Sequence, residues 1–456
     1  MLRAIGIVTA AVLVSMADGG PAAFGVESSP ERAASIDVTA LLAAARGAPP
    51  MICSLAAQAI RNYSWGNGTD APATPLGAAV VVRDRDPGNV PFAPADRDRL
   101  LGGIASDDAC VRELAVRLLG SHKDSSVTRA LIDRLGAAEP SLREVAAFGL
   151  GLLQPASAVD PLIRTLRDAT AGVRANAAWA LGRIESGKAL APLVALFRDD
   201  SEIVRGAAVV AVGRMDSTSA IAALMRVVQQ DPAASVRRVA AWALGSLESR
   251  ESAEVLAGVL ARDADAGVRE MSAWALGNME GRVGTAALAT ALRRDADDRV
   301  RETAAWALAE AGDRAQVEAL DATAAEDRSA RVRGTAAWAI GQLRGDGGGT
   351  APAGLLRVLK DESDDARLKA AWSLGQIGDA NAVGAIRDAL RTESSNQVRR
   401  ALVRALIKSG GRSEQTLTDL LSSSDPQVRE AAVRGLAGNN AFNPWPWPWP
   451  RPRPFP

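Results

Sequence analysis

The chain has 456 residues, and 53 Lys plus Arg balance 53 Asp plus Glu, so no net field draws it to nucleic acid. One histidine and two cysteines are too few for an ordinary transition-metal site. No Gly-x-Ser-x-Gly elbow, Gly-Lys-Ser/Thr phosphate loop, His-Glu-x-x-His helix or Cys-x-x-Cys pair occurs, so catalytic, cofactor-binding and metal-binding residues are all expected to be none, and the chain is expected not to be an enzyme.

Residues 1–17 carry Arg3, an apolar run from Ile5 to Val14 and then Ser15-Met16-Ala17. One charge, a short apolar core and small residues at the cut read as a secretory signal peptide, implying a periplasmic or secreted protein; the alternative is an ordinary start of a cytoplasmic protein. Residues 26–95 read as an irregular N-terminal cap, with a helix over Met51–Arg61, and a loop rich in Gly, Pro, Asp and Asn with a short strand at Ala78–Val82. Export would make a Cys53–Cys110 disulfide the staple of that cap, the alternative being two free thiols.

From residue 96 to 438 one phrase, Val-Arg-x-x-Ala-Ala-x-Ala-Leu-Gly, recurs about every 32 residues. Its arginine falls at Arg112, Arg143, Arg174, Arg205, Arg237, Arg269, Arg301, Arg333, Arg367, Arg399 and Arg429. A fixed period of this length means stacked units that bury a shared core. Around Arg205, Leu190, Leu193, Val194 and Phe197 predict a first helix over Lys188–Phe197. After the turn at Asp199-Asp200-Ser201, a second helix runs through Val204, Ala208 and Val212, with Gly213 as its stop. An aspartate precedes most of the arginines, as Asp168, Asp231, Asp263, Asp295, Asp327, Asp361 and Asp425. Each is expected to cap its second helix and to face the arginine of its own or the next unit. The widest interval, between Arg333 and Arg367, holds Gly345-Asp346-Gly347-Gly348-Gly349, an insertion placed in a loop.

Eleven copies of this grammar resemble the HEAT-like repeats of the phycobilisome-lyase type, from roughly Ala95 to Gly438. The expected fold is therefore all-α: a right-handed α-solenoid of about eleven two-helix HEAT-like repeats, with an N-terminal cap and a disordered Trp/Pro-rich tail. The resemblance implies little about function, since the class holds chromophore lyase subunits, scaffolds and di-iron deoxyhypusine hydroxylases. The last needs paired His-Glu motifs, which a chain whose single histidine is His122 lacks.

On the second helix, taking roughly 100° per residue, the apolar stripe of Val173, Ala177, Ala180 and Ile184 lies about 140° from Trp179. Phe148, Trp179, Val210, Trp242, Trp274, Trp306, Trp338 and Trp372 are accordingly expected in a solvent-facing row along a concave surface; packing between the alanine-rich helices is the competing role. Arg117, Arg404 and Arg434 replace the ring in the end units, which argues for an exposed position. Beside the row stand Glu144, Glu270 and Glu302, then Arg238, Lys369 and Arg400. Mixed signs around an aromatic stripe suit a protein or peptide segment, a glycan or a flat chromophore, and not a phosphate backbone.

Residues 439–456 end in Trp445, Trp447, Trp449, Arg451 and Arg453 alternating with proline, which forbids helix and ladder and leaves a polyproline-II rod. Docking to a partner's aromatic groove, lodging at a membrane interface, folding back into the chain's own groove, and no role at all stay open. The function expected is a non-catalytic protein-binding scaffold or adaptor acting through the Trp-lined face. The alternatives are a lyase-like or chaperone-like accessory handling a chromophore or cofactor, and tail-mediated membrane or envelope attachment.

Overall fold

The computed structural model describes residues 37–49, 93–120, 124–279, 281–345, 349–410, 418, 420–424 and 426–436. The expected signal peptide, the helix over 51–61, the strand at 78–82, Cys53, His122, Asp425 and the tail lie outside them. The chain divides into two compact units between Ala189 and Leu190. Among the described residues both are helical, without a strand.

The first unit opens with a short helix, α1 (Val38–Ala45), followed by three antiparallel pairs. These are α2 (Pro94–Gly103) with α3 (Ala109–Leu119), α4 (Ser125–Arg134) with α5 (Pro140–Leu153), and α6 (Val159–Thr165) with α7 (Ala171–Ile184). Leu42, Ala45 and Ala48 of the α1 segment pack on Cys110, Val111 and Leu114 of α3. Asp108 fixes the seam: its carboxylate caps α3 at Val111 and accepts the Gly47 N–H at 2.7 Å. Cys110 is disulfide-bonded, while Cys53 is outside the described residues.

The second unit repeats the pair seven times. Its pairs are α8 (Leu190–Ala195) with α9 (Glu202–Arg214), α10 (Ile221–Gln230) with α11 (Ala234–Ser246), α12 (Ala253–Arg262) with α13 (Ala266–Asn278), and α14 (Thr285–Arg294) with α15 (Asp298–Glu310). Then come α16 (Val317–Glu326) with α17 (Ala330–Arg344), α18 (Ala353–Val358) with α19 (Asp364–Ile377), α20 (Val383–Thr392) with α21 (Asn396–Lys408), and finally α22 (Pro426–Leu436). The insertion after α17 leaves the stack intact because polar side chains hold the chain where it re-enters. Asp321 of α16 accepts the N–H groups of Gly354 and Leu355 at the start of α18, and Asp379 accepts that of Ala351.

Second helices pack chiefly on the second helices of neighbouring repeats, more closely than first helices pack on each other. The repeated glycine is the cause. It is not the helix stop that the sequence pattern led us to expect: α9, α11 and α13 continue past Gly213, Gly245 and Gly277. A Cβ at Gly245 would sit 2.7 Å from Ala275 Cα and 2.9 Å from Trp274 Cζ3, and one at Gly277 would sit 2.8 Å from Ala307 Cα and 3.0 Å from Trp306 Cζ3. Backbone cannot yield as a flexible side chain can, so these positions exclude a methyl group. Gly277→Ala is expected to destabilise by about 1–3 kcal/mol, although the same change in an open helix interior stabilises by roughly 1 kcal/mol. Gly375→Ala is the control, since its nearest neighbour atom, Ala405 Cα, is 3.4 Å away; urea midpoints of the two variants check the contrast.

Candidate functional site

Two periodic features run along the second helices. The first is a ladder of buried ion pairs. Nε and Nη2 of Arg237 donate to the Asp263 carboxylate at 2.7 and 2.9 Å, while Nη1 donates to the carbonyls of Asp231 and Pro232 in its own turn. Asp263 also accepts the N–H of Asp265 at 2.9 Å. Each arginine thus ties its own turn to the turn of the next repeat, using the planar fork that lysine lacks. The same rung joins Arg143 to Asp168 in the first unit, and Arg205–Asp231, Arg269–Asp295, Arg301–Asp327, Arg333–Asp361 and Arg367–Glu393 in the second.

The ladder corrects the expected capping role. Asp231 lies two residues before the N-cap of α11, Ala233, whose N–H it accepts, so it shapes the turn and does not cap the helix. Every rung between described residues runs to the next repeat. Glu393 was invisible to a search for aspartate, although its position in the period marks it.

The second feature is the aromatic row, and here the expected exposure fails in part. Phe148 is 0%, Trp179 4% and Trp338 1% exposed, and Trp242, Trp274, Trp306 and Trp372 are half-buried. A helical wheel that counts only the first helix as neighbour places the ring on the free side. In the stack the second helix also meets the second helix of the preceding repeat, and the indole enters that groove. The rings of Trp242, Trp274 and Trp306 rest over Gly213, Gly245 and Gly277 of the preceding repeats, and Trp179 rests over Gly151. Where the seat is Ala309, the following ring, Trp338, lies stacked on Trp372 with centroids 6.4 Å apart.

The arginine argument fails at Arg117, while Arg404 is half-buried and the Arg434 side chain lies outside the described residues. Arg117, at the ring position of the first repeat, is 8% exposed; it is held by Glu113 at 2.6 Å and lies over the Phe148 ring at 5.7 Å. Pairing, and not solvent, accommodates the charge. Phe148 stacks on Trp179 at 5.0 Å, and Arg183 covers the Trp179 ring at 5.4 Å while donating to the Gly151 carbonyl.

What reaches solvent in the second unit is a narrower stripe at four-residue spacing on successive second helices: Arg238–Trp242–Ser246, Glu270–Trp274–Asn278, Glu302–Trp306–Glu310. Lys369 is not part of it: its side chain is buried and pairs with the exposed Asp365 at 2.7 Å. Burial pushes the carboxyls of Glu270 and Glu302 up, against the lowering effect of Arg299 on the first and Arg331 on the second. In the ladder, by contrast, the Arg143 hydrogen bond holds Asp168 below the usual carboxylate range, and Asp263, Asp361 and Glu393 are lowered by their arginines despite burial.

These shifts set opposite slopes. A depressed carboxylate stabilises the fold above its unfolded value of about 4 and loses that contribution as pH falls through its folded value. A raised one does the reverse, its penalty vanishing as pH falls towards its unfolded value. Urea midpoints are therefore expected to hold or rise slightly as pH drops towards about 4.5, then to fall steeply below about 4 as the rungs protonate. A monotonic decline from neutral pH would contradict the assignment of the raised glutamates.

Among the described residues no group of three His, Cys, Asp or Glu is placed to hold a metal ion, and no helix is long and apolar enough to cross a membrane.

No curated protein matches the chain in sequence. Among solved structures it resembles the Kap95p complex with RanGDP (TM-score 0.55, 15% identity, 76% of this chain and 56% of that one). It also resembles the Kap95:Nup1 complex (0.54, 15%, 76% and 57%) and importin beta (0.52, 13%, 75% and 57%). The chain spans a little over half the length of those structures, and at such identity the likeness is one of fold. Residues 128–212, 190–277, 285–352 and 352–437 match the family model described as HEAT repeats. With that match over more than half its length, the chain belongs to the HEAT-repeat family.

Proposed function

We propose that the chain is a non-catalytic scaffold that binds a protein segment along the exposed stripe of its second helices. One observation carries this reading: a half-buried indole per repeat at Trp242, Trp274 and Trp306, rimmed by charges of both signs. An indole with one face packed and its rim free is a pre-ordered apolar anchor, and the charges beside it set register. Two of the solved structures of similar fold are complexes of Kap95p with RanGDP and with Nup1, which supports a recognition role. The Ala-Ala-Trp-Ala-Leu-Gly grammar supports the phycobilisome-lyase-like type within the family, and the N-terminal segment supports export.

Pull-down with the full chain and with Glu310→Arg tests the reading. Glu310 is exposed beside Trp306, so the variant keeps the core. Loss of a partner that the parent retains is expected; an unchanged set of partners for this variant and for Asn278→Arg would refute the stripe as the binding face.

A further inference from the structure

The charges along the exposed stripe fall in a fixed order. Arg238 stands beside Trp242, Glu270 beside Trp274 on the next second helix, and Glu302 and Glu310 on either side of Trp306 on the one after. We propose that the stripe takes an extended, arginine-bearing segment of a partner protein, with guanidinium groups over the rims of Trp274 and Trp306 and an acidic side chain of the segment at Arg238. This rests on the reading of the stripe as a recognition surface and names the chemistry that it recognises.

The charged groups here lack the partners that the ladder has. Glu270 and Glu310 make no ion pair among the described residues, and Glu302 pairs only with Arg331, at 3.6 Å, which Asp298 also holds at 3.0 Å. Burial and the like charges of Asp297 and Glu302 push the Glu270 carboxyl up, against Arg299 and Arg238. A guanidinium set beside it favours the charged form. At the other end the Arg238 Nε is buried without an acceptor, and a carboxylate is the group that a guanidinium fork takes best.

The first unit shows the contact built from the chain's own residues. Arg117 pairs with Glu113 at 2.6 Å and lies over the Phe148 ring of the next repeat at 5.7 Å. Glu113 stands four residues before its ring position, as Glu270 and Glu302 do, so a carboxylate and a ring in this register hold one guanidinium between them. Arginine suits such a seat better than lysine, because its plane lies on the ring while its N–H groups stay free for the carboxylate. Spacing fixes the rest. Packed helices stand about 8–10 Å apart, and a polyproline-II segment returns every third residue to one face at about 9.3 Å. Arginines three residues apart therefore meet Trp306 and Trp274, and an acidic residue three further meets Arg238. Beyond Trp306 the stripe ends, because the next ring, Trp338, is 1% exposed.

A labelled peptide, Arg-Pro-Pro-Arg-Pro-Pro-Glu, its reverse-order form, and twins of both with citrulline for arginine test this on the full chain by fluorescence polarisation. In one order the arginine peptide is expected to bind at least tenfold more tightly than its twin, and Glu270→Gln/Glu302→Gln to cut that ratio below threefold. The amide keeps the shape of each side chain, and circular dichroism checks the fold. Glu310→Gln, at an exposed position, serves if the double variant does not fold, with the ratio expected to fall at least twofold. No binding, equal affinity for arginine and citrulline in both orders, or a ratio that the variants leave unchanged would overturn the proposal. If that happens while partner capture still depends on Glu310, the proposed function stands and the arginine chemistry alone falls.

Discussion

Asp295→Ala is expected to destabilise the second unit by about 3–5 kcal/mol. The substitution removes the two carboxylate acceptors of Arg269, at 2.8 and 2.9 Å, leaving its Nη1 on the carbonyls of Asp263 and Ala264, and removes the acceptor of the Asp297 N–H at 2.9 Å. The Arg269 side chain is only 15% exposed, so its charge stays in the stack without its counter-charge, and that accounts for most of the cost. Because each repeat touches only its neighbours, the damage should concentrate at the joint between α13 and α15, where amide exchange would accelerate first. Asp388→Ala is the comparison: its pair with Arg391 lies in solvent, 67% and 71% exposed at 3.5 Å. Its loss should change stability by no more than about 0.5 kcal/mol. Urea unfolding of the two variants, with hydrogen exchange to place the loosened joint, decides the matter. Equal and small effects would mean that the ladder does not hold the register.

Trp338→Ala is expected to cost a similar amount, about 3–5 kcal/mol. At 1% exposure the ring has no rim left for recognition, and its removal leaves a void beside Trp372 that helices already in contact cannot close. Trp306→Ala should cost less, since part of that ring faces solvent. The ordering matters more than the values. A stability loss larger for Trp338 and a binding loss larger for Trp306 would separate packing from recognition within one row of identical residues.

How far the sequence could be read follows from what each signal measures. The period, the two-helix unit around Arg205 and the Arg–Asp pairing were legible because they repeat, and repetition reports a shared environment. The direction of the tryptophans was not. A wheel drawn for one helix contains no information about the neighbour one repeat away, and that neighbour decides where Trp179 goes. The glycine was misread for the same reason. Gly213, Gly245 and Gly277 stand near helix ends, where a stop is the local explanation, yet the atoms that require them belong to the next repeat. The clue was present in the pairing of each glycine with a tryptophan 29 residues on, as in Gly213 with Trp242 and Gly245 with Trp274. The exposed stripe was half legible: Glu270, Glu302 and Arg238 were placed beside the indoles correctly, but Glu310 emerged only with the helix geometry.

The account turns on the indole as a wedge seated on the glycine of the preceding repeat, with recognition left to its rim. The most direct measurement is a double-mutant cycle between Gly151 and Trp179. A Cβ at Gly151 would meet Trp179 Cε3 at 2.7 Å and Ala180 Cα at 2.9 Å, so the methyl and the ring compete for one space. Urea unfolding of Gly151→Ala, Trp179→Leu and the double variant is expected to show a coupling of at least about 1 kcal/mol, the double variant being more stable than the sum of the singles predicts. Additivity within about 0.5 kcal/mol would contradict the wedge and return the tryptophan row to the surface.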